Sequence, residues 1–228
     1  MCGRYHHKRQ SIVKTIAGFQ TRIDWEPRFN VSPTQIMPVI VWDEAQPVVR
    51  PMKWGLIPFF SKEPKMLFSA VNAKAETLNS KPMWKRLLQK KRCLIPADGF
   101  YEWERSGKIS QPYYFRLKDG EPFAFAGIWD RWRANDRVIN SCAIITTKAN
   151  ELLATIHTRM PVILPPELYD FWLNEDSREP ELKDILMPFP AAEMTSHAVS
   201  YEVNDVRNEG EHLLRPVEPN IGVNLRLF

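Results

Sequence analysis

Cysteine is scarce in this 228-residue chain, occurring only as Cys2, Cys93 and Cys142. The number is odd and no CxxC pair occurs. This argues against a disulfide scaffold and a cysteine-rich zinc site, and it points to a reducing compartment. Long apolar runs are missing too. No stretch approaches the roughly 18–20 residues of a membrane-spanning helix, and the start MCGRYHHKRQ lacks the apolar core of a signal peptide. A cytoplasmic or nucleoid-associated protein with no membrane partner is therefore expected. Low-complexity linkers and internal repeats are absent. One domain over residues 1–228 is the expectation, because β-rich domains commonly reach about 200–250 residues. Neither sign of charge is in large excess. Thirty-one Lys and Arg against 27 Asp and Glu leave +4, which permits a nucleic-acid partner without requiring one.

What is present is a strand pattern. Ile36–Trp42, Val48–Trp54, Cys93–Ile95, Phe100–Glu104, Tyr113–Leu117, Phe123–Trp129 and Ile139–Thr146 are short β-branched or aromatic runs divided by Pro, Gly, Asn and Asp. Such spacing predicts an antiparallel, barrel-like sheet. Two helices are expected to interrupt it: Pro82–Lys90, with Trp84, Leu87 and Leu88 inward, and Pro166–Trp172, with proline in its first turn. Ser11–Phe19 (SIVKTIAGF) reads as a further short amphipathic helix with Ile12, Ile16 and Phe19 on one side. The 19 prolines suit short strands and ordered loops better than long helices. The class is α+β, with a mainly antiparallel, barrel-like β core and a few peripheral helices.

Cys2 matters for its position. Removal of the initiator methionine before a small residue leaves a free α-amine beside the thiol, a 1,2-aminothiol that no internal cysteine offers. Unperturbed amines titrate near about 7.7–8.0 and thiols near about 8.5, so both reactive forms are expected at neutral pH. The amine condenses with an aldehyde to an imine, and the thiol then adds to the same carbon and closes a five-membered thiazolidine. Position alone leaves other readings open. Cys2 is otherwise an unreactive residue near the terminus, or the nucleophile of an N-terminal cysteine amidohydrolase or peptidase.

Six blocks make the pattern specific: MCGRY at 1–5, RFNVSPTQ at 28–35, KWGLIPFF at 53–60, VNAKAET at 71–77, KRCLIPADGFYEW at 91–103 and IHTRMPVIL at 156–164. In order and spacing they resemble the SRAP family, the SOS-response-associated peptidases understood as abasic-site processing proteins. The resemblance runs from residue 2 to VNDVRNEG at 203–210. It implies the family's fold and a DNA-damage protein that binds single-stranded DNA, including single-strand/double-strand junctions. Such a protein captures abasic sites as a covalent cross-link through Cys2, shields them from strand cleavage and releases them slowly by reversal. The family name also implies a peptidase step, read as removal of Met1 either by the chain itself or by a cellular aminopeptidase. A monomer is implied, with no cofactor and no metal. A non-covalent reader of modified bases remains the alternative from another class.

The resemblance also assigns residues. Asn72 matches the asparagine beside the reacting centre, Glu102 the acid–base glutamate and His157 the histidine suited to proton transfer. On pattern alone, Asn72 is more readily a turn residue, and the alternation in FYEWE also fits Glu102 as an outward charge on a strand. Arg4 and Arg159 match positions suited to bidentate phosphate contacts, with Asn30 and Lys74 as further DNA contacts. Pro33, Trp54 and Phe60 lie where the family wedges against or stacks on bases, although Trp54 also fits a core position. Lys74 stands where many members carry arginine, which removes the planar fork, and Phe60 where tryptophan is frequent.

Overall fold

Short runs of β-branched and aromatic residues become strands because their side chains pack on a pleated surface, and the prolines and glycines between them turn the chain. A computed structural model describes residues 2–8, 14–16, 19–21, 25–43, 45–64, 70–106, 109–177 and 179–219. Its strands are β1 (Arg4–His7), β2 (Lys14–Ile16), β3 (Phe19–Thr21), β4 (Arg28–Val31), β5 (Ile36–Asp43), β6 (Gln46–Trp54), β7 (Asn72–Lys74), β8 (Arg92–Ala97), β9 (Gly99–Ser106), β10 (Ile109–Leu117), β11 (Phe123–Ala134), β12 (Arg137–Lys148), β13 (Arg159–Pro161), β14 (Ile163–Leu164) and β15 (Met194–Ala198). Every run read as a strand in the sequence lies inside one of these.

The sheet closes on itself. β12 pairs with β6, β6 with β5, β5 with β8, β8 with β11, and β11 returns to β12. All of these pairings are antiparallel except β12 with β6. Closure leaves no long unpaired edge in the ring. Near its C-terminal end β12 is flanked twice more, by β7 in parallel at Ile144–Thr146 and by β13 antiparallel at Thr146–Lys148. A second, antiparallel sheet has the order β15-β10-β9-β1-β4, so the strand following Cys2 lies inside a sheet.

The space between the two sheets is filled by Tyr5, Met37, Trp54, Phe100, Phe115, Phe125 and Ile144. Helix α1 (Pro82–Lys90) covers the barrel's other side with Trp84, Leu87 and Leu88, the face that the sequence spacing predicts. Three more helices follow among the described residues: α2 (Glu151–Ala154), α3 (Tyr169–Leu173) and α4 (Glu179–Asp184). The second expected helix starts as a 3-10 turn at Pro166–Leu168 and continues as α3. Arg92 ties α1 to α3. Its guanidinium donates to Leu88 O and Trp172 O at 2.6 Å, to Gln89 O at 2.9 Å, and to Asn174 O, satisfying carbonyls that the helix ends leave open.

One expectation is corrected. The described part of Ser11–Phe19 is extended, with Lys14 paired to Thr21 and Ile16 to Phe19 in a β2–β3 hairpin. Ile12, Val13, Thr15 and Ile16 are β-branched, which favours strand over helix and outweighs the apolar spacing. Residues 11–13, 17 and 18 lie outside the described residues. Among the described residues no helix is long and apolar enough to cross a membrane.

Candidate functional site

The register of β1 against β9 pairs Arg4 with Tyr101 and so delivers the residues before Arg4 to the level of Glu102 and Trp103. Cys2 is buried there, with Sγ 3.8 Å from the Arg4 carbonyl. Burial, and after it the neighbouring Glu102 carboxylate, push the Cys2 thiol well above its ordinary value. The sequence-based expectation of an unshifted thiol is thus corrected: Sγ stays protonated at neutral pH until a base takes its proton.

Asn72 comes from the other sheet system. Positioned by the pairing of β7 with β12, its Nδ2 donates to the Cys2 carbonyl at 2.9 Å. Its Oδ1 is buried and has no hydrogen-bond partner among the described residues. The amide thus pins the Cys2 backbone and keeps one acceptor in reserve. It is not a turn residue.

His157 follows α2, its N–H donating to Leu153 O at 2.8 Å. The backbone N–H of Arg159 donates to His157 Nδ1 at 3.0 Å. An acceptor at Nδ1 places the neutral ring's proton on Nε2. His157, Glu102, Arg4 and Gly3 line one pocket of about 380 Å³, together with Trp103, Ser110 and Asn204. Glu102 is buried in that wall, so it is not the solvent-facing charge that strand alternation allowed.

The expected DNA contacts divide. Lys74 is exposed, two residues beyond Asn72 and on the same face of β7. Arg4 lines the pocket, its Nη1 donating to Gly3 O at 3.0 Å and its Nη2 to Asn204 O at 3.5 Å. Arg159 sits beside His157, but its fork is taken by Glu76, with Nη1–Oε1 at 2.6 Å and Nη2–Oε2 at 3.0 Å. Pro33 is half-buried at the second position of a turn closed by Gln35 N–H to Ser32 O at 3.2 Å. Thr34 follows it at φ 79°, as a type II turn requires, and is braced by donation to Trp54 O at 2.8 Å. Phe60 is 61% exposed, edge-on to Phe59 at 52%, and free to stack.

Two assignments are corrected. Trp54 is fully buried and its Nε1 donates to Val71 O at 3.1 Å, so it packs the core and cannot stack on a base. Asn30 is also fully buried. Its Nδ2 donates to Val203 O at 3.2 Å, Asp205 O at 2.9 Å and Asn208 O at 3.1 Å, which removes it from solvent and makes it the anchor of the 203–208 strap. That strap carries Asn204, whose Oδ1 accepts from Trp103 Nε1 at 2.7 Å. Trp103 flanks Glu102 in GFYEW but is not among the site residues that the resemblance assigns. Asn204 is about a hundred residues away and only the fold brings it in.

A family model described as SOS response associated peptidase (SRAP) matches residues 1–206. This chain belongs to the SRAP family. Among SRAP relatives, the abasic site processing protein YoqW of Bacillus subtilis is 38% identical over 221 residues, covering 94% of this chain and 99% of the relative. The abasic site processing protein YedK of Escherichia coli is 30% identical over 227 residues, covering 95% of this chain and all of that one. A crystal structure of a protein from Bacteroides thetaiotaomicron matches with a TM-score of 0.80 at 27% identity, covering 95% of this chain and 100% of the other.

Proposed function

We propose that this SRAP chain captures abasic sites in single-stranded DNA as a thiazolidine cross-link on Cys2. The observation that carries the reading is the convergence of Cys2, Asn72 and Glu102 beside a pocket that also holds His157 and Arg4. The named activity of the relatives, abasic site processing, supports the same substrate.

The chemistry requires Met1 to be gone. The Cys2 α-amine attacks the aldehyde carbon of the ring-opened sugar and forms a carbinolamine. His157, as the imidazolium, gives its Nε2 proton to the departing hydroxyl, which leaves as water, and the nitrogen keeps its own proton as an iminium. The thiol then adds across the C=N bond. Glu102 takes the Sγ proton, sulfur bonds to the iminium carbon and the C=N electron pair goes to the nitrogen, so the ring closes without net charge and the proton on Glu102 is free to restore His157. A thiol held protonated by burial makes that base necessary. Asn72 holds the Cys2 carbonyl and offers Oδ1 to the amine, positioning the nucleophile without competing with it.

The test is intact mass under denaturing conditions, before and after incubation with a single-stranded oligonucleotide bearing one abasic site. The expected species is protein lacking Met1 plus oligonucleotide minus one water, absent in Cys2→Ala. Glu102→Gln and His157→Gln slow formation or reversal by roughly 10²–10⁴-fold while leaving non-covalent DNA binding in place. Processed protein that yields no Cys2-dependent adduct refutes the reading.

A further inference from the structure

The last residues of β12 lie between two strands that bear functional candidates. Thr146 is in register with Lys74 of β7 on one side and Pro161 of β13 on the other, and Lys148 is in register with Arg159. Glu76 lies in the 3-10 turn Ala75–Thr77 that follows β7, and it reaches across to close the bidentate pair with Arg159. The carboxylate is set among cations. Lys148 is exposed near it and Lys74 is exposed at the residue before the turn, and the Arg159 hydrogen bond, with smaller help from Lys148, holds the Glu76 carboxyl below its usual range.

The two partners are held unequally. The Arg159 side chain is 15% exposed and its Nη2 also donates to Thr146 O at 2.5 Å and Thr146 Oγ1 at 3.3 Å, so the guanidinium is fixed without Glu76. Glu76 is 44% exposed and rides on a three-residue turn that has no side-chain cap. A guanidinium fork accepts a carboxylate and a phosphodiester in the same bidentate geometry. One loosely anchored carboxylate therefore occupies a firmly anchored guanidinium fork that has the geometry to hold a phosphate.

We propose that Glu76 is an internal stand-in for phosphate: it fills the Arg159 fork in the free protein and is displaced by one phosphate of the bound strand. The inference rests on the single-stranded DNA reading above and adds a control to it. Glu76 weakens binding to any strand and lowers its salt dependence, so that retention depends on the covalent step at Cys2 rather than on charge.

The experiment measures binding of an undamaged single-stranded oligonucleotide, which cannot cross-link, across a salt series. Glu76→Gln is expected to bind about 3–5-fold more tightly at low salt, the scale of releasing one partly exposed ion pair. Its plot of log affinity against log salt should steepen by about 0.7, the single-strand increment for one charge, because no displaced carboxylate takes up a cation when the phosphate docks. In an Arg159→Gln background the same substitution should change neither quantity. Thermal melting checks that each variant is folded, and Glu76→Ala serves as a second variant with the same expected direction. Unchanged or weaker binding by a folded Glu76 variant overturns the proposal, because it shows a brace and not a competitor. Wild-type protein that binds no single-stranded DNA overturns the functional reading and this inference with it.

Discussion

Replacing Asn30 separates a ligand contact from a structural anchor. Two Nδ2 protons serve three carbonyl oxygens, those of Val203, Asp205 and Asn208. Asn30→Ala forfeits about two hydrogen bonds at about 1 kcal/mol each. It also leaves the Val203 carbonyl buried without this donor, at about 1–3 kcal/mol, for a total loss of about 3–5 kcal/mol. Asn30→Asp is the sharper probe, because it keeps the shape and turns a donor into a carboxylate facing those oxygens. Burial and the carbonyl dipoles raise the folded-state pKa of that Asp above its unfolded value of about 3.9. The sign follows from proton counting: the folded state binds the extra proton, so stability relative to wild type is best below about pH 4. It is lost as pH rises to the folded pKa and is level above it. A rise of about two units makes the variant about 2.2 kcal/mol less stable at pH 7 than at pH 4, measured against wild type. Denaturant melts at both pH values read this difference, and hydrogen exchange over 203–208 shows whether the strap loosens first. An Asn30→Asp protein with wild-type stability at pH 7 refutes the anchor role.

Further outcomes follow from burial. His6 and His7 are both buried, and burial lowers their pKa values to about 3 and about 4, so neither ring is charged in the fold at pH 5 whereas both are in the unfolded chain. Their contribution is complete above about pH 6.5 and falls as pH drops toward those values, by about 2 kcal/mol per ring at pH 5. Melts at pH 7 and pH 5 should show the loss, and His6→Phe, which keeps the stack on Phe29, should reduce it; an identical pH response in the variant contradicts the assignment. The two aromatic candidates should behave oppositely. Phe60→Ala weakens single-stranded DNA binding by about 1–3 kcal/mol with the melting temperature kept, whereas Trp54→Ala costs about 3–5 kcal/mol of stability, and the reverse pattern would undo the core assignment.

Much of the molecule is legible in its amino-acid order. The strands from Ile36 to Thr146 announce themselves because β-branched and aromatic residues alternate with turn formers, and Trp84, Leu87 and Leu88 predict the buried face of α1 by their spacing alone. Cys2 is legible as a candidate because an aminothiol needs only that residue and the loss of Met1, whereas Asn72, Glu102 and His157 are picked out by the resemblance of their blocks to the SRAP family. The antiparallel β2–β3 pair escapes such reading because apolar residues at helical spacing in a segment of that length fit either period.

Tertiary structure decides what each polar or aromatic residue does once placed. Asn30 and Asn72 are both short amides near a turn or strand end, yet one is sealed around three carbonyls and the other holds Cys2 with an acceptor to spare. Trp54 and Phe60 stand six positions apart, and only closure of the barrel buries the first and leaves the second on the surface. The ionisation of Cys2 and the pairing of Arg159 with Glu76 depend on neighbours 70 to 100 residues away. Composition and periodicity encode the contacts a residue makes along its own strand or helix. Desolvation and charge pairing arise between strands remote in sequence, and those come together only in the fold.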